Sequence, residues 1–378
     1  MKNINVFKHL YFNWWRNIDK ILFSLILIFF ILGLFFSLVS TSLVASDRLN
    51  TNSYLFFFKH LIFISIGFTI IFFISYLDQN KLLLISKILF LICLFALILV
   101  PIFGTEVKGS KRWIEILFLP RFQPIEVLKP FTIVILAIIL SSEKNNLYLK
   151  YLFSFLLIVP IIFLLISQPD IGQTLLIFFS WLALIFVSGI NLLLFFLFSG
   201  FVLSIIFYLI FFVPKFEYVL IRILSFLNPS SGNNYQSEKA AEAIINGGFF
   251  GKGIGEGVLK NNVPEAHTDY IVSVISEEFG AVMIFVILLM FLYFLYHLYK
   301  KLYQLNDDKK KLIIVGLGFL ILLQFLIHVG VNIRMFPTTG MTLPFISYGG
   351  SSIIGSSIIS GIILNLTKKN NLIWKKKF

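Results

Sequence analysis

The chain of 378 residues is 58% hydrophobic, with 46 Phe and only 13% charged residues, which is too little polar surface for a water-soluble globule of this length. A polytopic membrane protein remains. Its net charge of +13 sorts by membrane side rather than into a nucleic-acid patch, and the single Cys93 excludes an internal disulfide.

A membrane-spanning helix needs about 20 mostly apolar residues. Ten windows fit, at about 21–45, 55–77, 82–102, 125–142, 151–167, 172–189, 191–213, 271–299, 312–333 and 343–366. The first follows a basic leader containing Lys2, Lys8, Arg16 and Lys20, and it is too long for a cleaved signal peptide, so it reads as an uncleaved anchor. Ten spans put both termini on one side. If that side is cytoplasmic, it collects 18 Lys and Arg against five acids, and the outer side collects 13 of each sign. The positive-inside rule then expects cytoplasmic termini. The fold class expected is an all-α polytopic membrane protein, one integral membrane domain over 1–378, with a large outer loop at about 214–270 between the seventh and eighth spans.

The first three spans, with polar joints at Ser46 to Ser53 and Asp78 to Lys81, carry little chemistry. The joint after the third, GTEVKGSKRWIEILFLPRFQPIEVLKP, places Lys108, Lys111, Arg112 and Arg121 on the outer side, against the positive-inside trend. Such a loop either meets an anionic partner or lies in the headgroup plane, with Trp113 and the ILFL run anchoring it. Glu126 and Lys129 then enter the fourth span on one helical face. They form either a structural ion pair or a site where Lys129 meets a phosphate. In the SQPDIGQ turn between the fifth and sixth spans, Pro169 and Gly172 break the helix, so Asp170 is expected to face protein or a wet cavity.

The outer loop reads as a short amphipathic helix, a turn at Asn228-Pro229 and a second helix begun near Ser237. A glycine-rich stretch, INGGFFGKGIGEGVLKNN, follows. It lacks the strand-to-helix context of a dinucleotide fingerprint and the Gly-Lys-Ser/Thr of a Walker loop. It is expected to be a flexible loop on the membrane surface, with Lys252 and Lys260 available to an anionic headgroup. Next, VPEAHTDYIVSVISEEFG packs Glu265, His267 and Asp269 into five residues before an apolar run that holds Glu277 and Glu278. Ionisable residues cost at least about 2.5 kcal/mol at the centre of a span, so they mark a site or polar cavity, unless the helix dipole alone accounts for the acids. Last comes NIRMFPTTGMTLPFISYGGSSIIGSS, where Pro337, Gly340 and Pro344 break the backbone beside Arg334, and a Gly/Ser face permits close helix packing.

In order along the chain, KGSKRWI, QPIEVLK, QPDIGQT, NPSSGNNYQ, GGFFGKGIGEG, PEAHTDYI, SEEFG and PTTGMTLPFISYGGSS together resemble the SEDS family (shape, elongation, division and sporulation) of peptidoglycan glycosyltransferases, a resemblance that extends over nearly the whole chain. PEAHTDY with PTTGMTLPF is more similar to the septal branch than to the elongation branch. Ile125 departs from the family's usual Ser and puts that hydroxyl's hydrogen bond in doubt. The resemblance implies polymerisation of lipid II, a disaccharide-pentapeptide on undecaprenyl pyrophosphate, at the periplasmic face of the inner membrane. It places the family's essential aspartate at Asp269, as general base. Arg112, Lys129, Lys252, Lys260 and Arg334 become the cations expected to meet the pyrophosphate, with Glu126 orienting Lys129 and a divalent ion such as Mg2+ or Mn2+ as a further source of charge. Membrane lipid surrounds such a chain, and the implied partners are a class B penicillin-binding transpeptidase and other divisome proteins. Two rival readings are a lipid II flippase, with Glu126, Lys129 and Asp170 lining a path, and a non-catalytic division scaffold.

Overall fold

The computed structural model describes residues 12–40, 54–107, 110–115, 120–142, 146–228 and 234–369. Ten helices of 17 residues or more stand in the ten expected windows. In chain order they are α1 (Lys20–Ser40), α2 (Leu55–Tyr76), α3 (Gln79–Phe103), α4 (Pro124–Leu140), α5 (Leu147–Ser167), α6 (Ile171–Val187), α7 (Leu192–Phe212), then, past the long loop, α10 (Ile271–Lys300), α11 (Asp308–Asn332) and α12 (Gly350–Leu366). The loop itself carries α8 (Glu217–Leu227) and α9 (Tyr235–Gly247). The helix expected near Ser237 thus begins two residues earlier. Lys108, the ILFL run, the joint at 46–53 and Pro229 of the expected turn lie outside the described residues.

Three helices form the centre. Almost every side chain of α4 and α12 is buried, as is most of α11, whereas α7 buries only Ser199 and Val202. α12 packs on α2 and α4, and α11 on α4 and α6. The Gly/Ser face of α12 makes this possible: a methyl at Gly355 would lie 2.5 Å from the Glu126 carbonyl oxygen. The last span starts at Gly350 rather than at 343, because the chain from 333 to 349 is irregular.

Two features escaped the sequence reading. Thr105–Val107 (β1) and Ser110–Trp113 (β2) pair antiparallel as a hairpin at the end of α3. The glycine-rich loop is no free surface segment. The backbone N–H groups of Lys252 and Gly253 donate to the carbonyls of Glu277 and Glu278 (2.9 and 3.0 Å), and those of Ala281 and Val282 donate to Gly248 and Phe249 (3.0 and 3.2 Å). This seam sits where α10 kinks at Gly280 (φ 77°, ψ 177°), a conformation that essentially only glycine adopts.

Candidate functional site

The irregular segments converge on one end of the bundle around a cavity of about 270 Å3, lined by Arg112, Gln123, Glu126, Arg222, Glu265, Asp269 and Gly340 among others. Asp269 ends the stretch before α10, and three consecutive carbonyls there are held from outside. The His267 oxygen accepts from the Tyr348 N–H (3.0 Å), the Thr268 oxygen from the Ser347 hydroxyl (2.7 Å) and the Asp269 oxygen from the Asn332 amide (3.0 Å). Ser273 in turn donates to Asn332 at 2.9 Å. Buried carbonyls left unpaired would be costly, so these contacts fix the backbone that carries the carboxylate. The His267 ring packs on Phe56 (centroids 4.2 Å apart) and Tyr348.

Across the cavity stands Arg112, delivered by β2. Its side chain donates to the Gln168 and Pro169 carbonyls and lies 3.7 Å from Asp170. Asp170 is buried, as expected. It caps α6, and it accepts from the Gln123 amide at 2.9 Å. A methyl at Gly340 would lie 3.6 Å from Asp269 Oδ2 and 3.8 Å from Arg112 Nη1. A carboxylate and a guanidinium therefore approach one point beside Gly340.

The remaining expected residues divide. Glu126 lines the cavity, but Lys129 does not: it is fully buried, 2.9 Å from Glu126 and 3.3 Å from Gln324 Oε1. Of the two readings open for that pair, the geometry favours the structural one. Lys260 corrects the expectation of a free headgroup contact, since it is buried and paired with Glu278. Glu277 is fully buried as well, accepting from the Leu259 N–H (2.9 Å), the Lys260 N–H (2.5 Å) and Asn246 (2.9 Å). The two acids clasp the glycine loop; neither caps α10. Lys252 is exposed and does not line the cavity. Arg334 lines an adjoining hollow.

Sequence reasoning passed over Arg222, which α8 carries into the cavity. Burial, and after it the charge of Arg112, holds its guanidinium below the ordinary arginine value. The Tyr270 hydroxyl moves the other way, pushed up by burial and then by the Asp269 carboxylate. Among the described residues no three His, Cys, Asp or Glu side chains gather to hold a metal ion. A larger hollow of about 890 Å3 opens at the opposite end. There Asp307 and Asp308 pair with Lys310 and Lys311 of their own turn, and no groups converge for chemistry.

Fold and site together define a multi-pass membrane protein whose broken segments gather acids and arginines into a cavity at one end. The cell cycle protein family of FtsW, RodA and SpoVE matches residues 19–372, and the chain belongs to it. A Caulobacter vibrioides protein named probable peptidoglycan glycosyltransferase FtsW is 32% identical, over 94% of this chain and 90% of that one. Two solved structures share the fold. A chain from work on structural coordination of polymerization and crosslinking by a peptidoglycan synthase complex has 25% identity and a TM-score of 0.72, covering 93% of this chain and 97% of that one. The rod shape determining protein RodA of Thermus thermophilus has 24% identity and a TM-score of 0.68, over 93% and 96%.

Proposed function

We propose that this chain is a peptidoglycan glycosyltransferase that polymerises lipid II at the outer face of the inner membrane, in the septal branch of its family. The observation that carries the reading is the facing of Asp269 and Arg112 across Gly340. The Asp269 carboxylate takes the proton of the acceptor's hydroxyl as that oxygen forms its bond to the donor's anomeric carbon. The bond from that carbon to the lipid pyrophosphate breaks, and the electron pair leaves with the pyrophosphate. Arg112 lines the same cavity and meets the charge that develops on the leaving group. Lys129 and Lys260, spent on Glu126 and Glu278, serve the scaffold instead. The excess of Lys and Arg on one side supports cytoplasmic termini, with the Asp269 end outside. Kinship to a chain of a peptidoglycan synthase complex supports a transpeptidase partner of the class B penicillin-binding kind, working with other divisome proteins.

The test is polymerisation of purified lipid II in liposomes by the wild type and by Asp269→Asn, each with and without the transpeptidase. A positioned base contributes roughly 10²–10⁴ in rate, so the variant should lose glycan chains to that extent while still binding its partner. Equal chain formation by both removes Asp269 from the base's role. Transport of labelled lipid II across the bilayer without chains would replace the enzyme by a flippase.

A further inference from the structure

On the far side of Arg222 and Thr338 from Asp269 lies a second hollow of about 380 Å3, bounded also by Ser225, Asn234, Arg334 and Phe336. Arg222 and Thr338 line both spaces and so form the partition between them. The cations here differ from the others near the site. Arg112, Lys129 and Lys260 each have a carboxylate within ion-pair distance. Among the described residues, neither Arg222 nor Arg334 has one. Arg222 is half-buried and repelled by Arg112, and a partly desolvated charge without a partner is costly. Arg334 holds a left-handed backbone (φ 59°), of a kind that costs of order 1–3 kcal/mol and persists where function retains it. Two guanidiniums on one hollow suit the oxygens of a phosphate group. Beside them Ile221, Leu224, Met335 and Phe336 are exposed apolar side chains, a surface fit for a lipid tail.

The proposed polymerisation, on which this inference rests, joins two molecules that each bear a lipid pyrophosphate. The donor's pyrophosphate leaves from the carbon under attack and so lies beside Asp269 and Arg112. The acceptor's hydroxyl belongs to the sugar farther from its own lipid, so its pyrophosphate lies a disaccharide's length away. A cavity of about 270 Å3 is below the roughly 300–1,000 Å3 that one drug-sized ligand occupies, and it cannot take both. We propose that the hollow between Arg222 and Arg334 seats the pyrophosphate of the acceptor lipid.

The experiment counts lipid II bound to the full chain by native mass spectrometry, in detergent containing phosphatidylglycerol, with Asp269→Asn present to block turnover. Two molecules per chain are expected. Adding Arg222→Gln and Arg334→Gln should weaken the second at least about tenfold, the scale of one lost charge-assisted hydrogen bond. Arg334→Gln alone alters an exposed side chain and keeps the fold, and it should weaken the second molecule in the same direction. Two molecules held with unchanged affinity by these variants overturns the assignment. So does displacement of the second molecule by phosphatidylglycerol, which would make the hollow a general anionic-lipid site. Wild-type polymerisation is measured alongside: glycan formation with only one molecule ever bound overturns the seat alone, whereas no glycan at all removes the enzyme reading and the seat with it.

Discussion

Gly280→Ala should unseat the glycine-rich loop from α10. At φ 77° and ψ 177° a residue with a side chain bears about 1–3 kcal/mol of backbone strain. The added carbon would also stand 2.2 Å from the Phe249 carbonyl oxygen and 2.5 Å from the Gly251 nitrogen. Those are backbone atoms, which cannot rotate aside, and overpacking of this kind adds about 1–3 kcal/mol. The combined loss of about 2–6 kcal/mol falls on the seam of hydrogen bonds that places Lys260 against Glu278. Two comparisons separate strain from crowding. Gly255 also has a positive φ, of 84°, but open space around it, and Gly200 lies in α7 with open space. Thermal unfolding of the detergent-solubilised chain should therefore fall furthest for Gly280→Ala, less for Gly255→Ala, and hold or rise for Gly200→Ala. Melting of Gly280→Ala alongside Gly255→Ala would refute the close seating of the loop on the kink.

Lys260→Met leaves Glu278 buried without its cation and should cost about 3–5 kcal/mol, most of it regained when Glu278→Leu is added; chemical denaturation of the single and double variants measures the coupling, and additive losses would deny it. Ser347→Ala strips one partner from the Thr268 carbonyl and one from the Leu343 N–H. It should cost about 1–3 kcal/mol and lower glycan synthesis more than Thr342→Ala, whose hydroxyl, among the described residues, hydrogen-bonds with Ser352 alone; equal activities would show that Asp269 needs no such mount. At the other end, burial alone would raise the Asp19 carboxyl, yet Lys301 at 2.7 Å, the Leu22 N–H and His297 hold it below its ordinary 3.8. A depressed carboxylate stabilises fully above the unfolded value and loses that contribution as pH falls through the folded one. The melting-temperature gap between wild type and Asp19→Asn should thus close as the pH drops from 7 to 3, and a constant gap would contradict the pairing.

Hydropathy alone located the ten long helices, seven of them among the described residues long and apolar enough to cross a membrane, because each centres on a local apolar run. Asp269 and Asp170 were legible for a related reason: an acid beside an apolar run or a broken turn is costly unless something receives it. Arg222 carried no such mark. One basic residue on an amphipathic helix reads as a solvated face, and only the fold of the outer loop turns it toward the cavity. Ser347 and Asn332 act on carbonyls 79 and 63 residues away, distances at which no spacing rule operates. The glycine-rich loop misled for a physical reason. Clustered glycines read as freedom of the backbone, yet here they allow close approach: a methyl at Gly251 would lie 2.2 Å from the Glu278 carbonyl oxygen.

The pairing of charges sorts structure from chemistry more sharply than sequence position does. Glu126 with Lys129 joins α4 to α11 through Gln324, Asp170 with Arg112 joins α6 to the hairpin, and Glu278 with Lys260 joins α10 to the glycine loop. Each pair ties a helix to a neighbouring helix or to one of the irregular segments around Asp269. Breaking one by removing a single partner leaves a desolvated charge behind, so each pair holds its segment in register at the cost of leaving its cation little charge for substrate. Arg112 alone among the three lines the cavity as well. Phosphate charge at this end is therefore met by Arg112 inside the cavity and by Arg222 and Arg334 on the hollow beside it. Replacing Lys129 or Lys260 should therefore show first in stability, and replacing Arg222 or Arg334 first in substrate binding with the melting temperature kept.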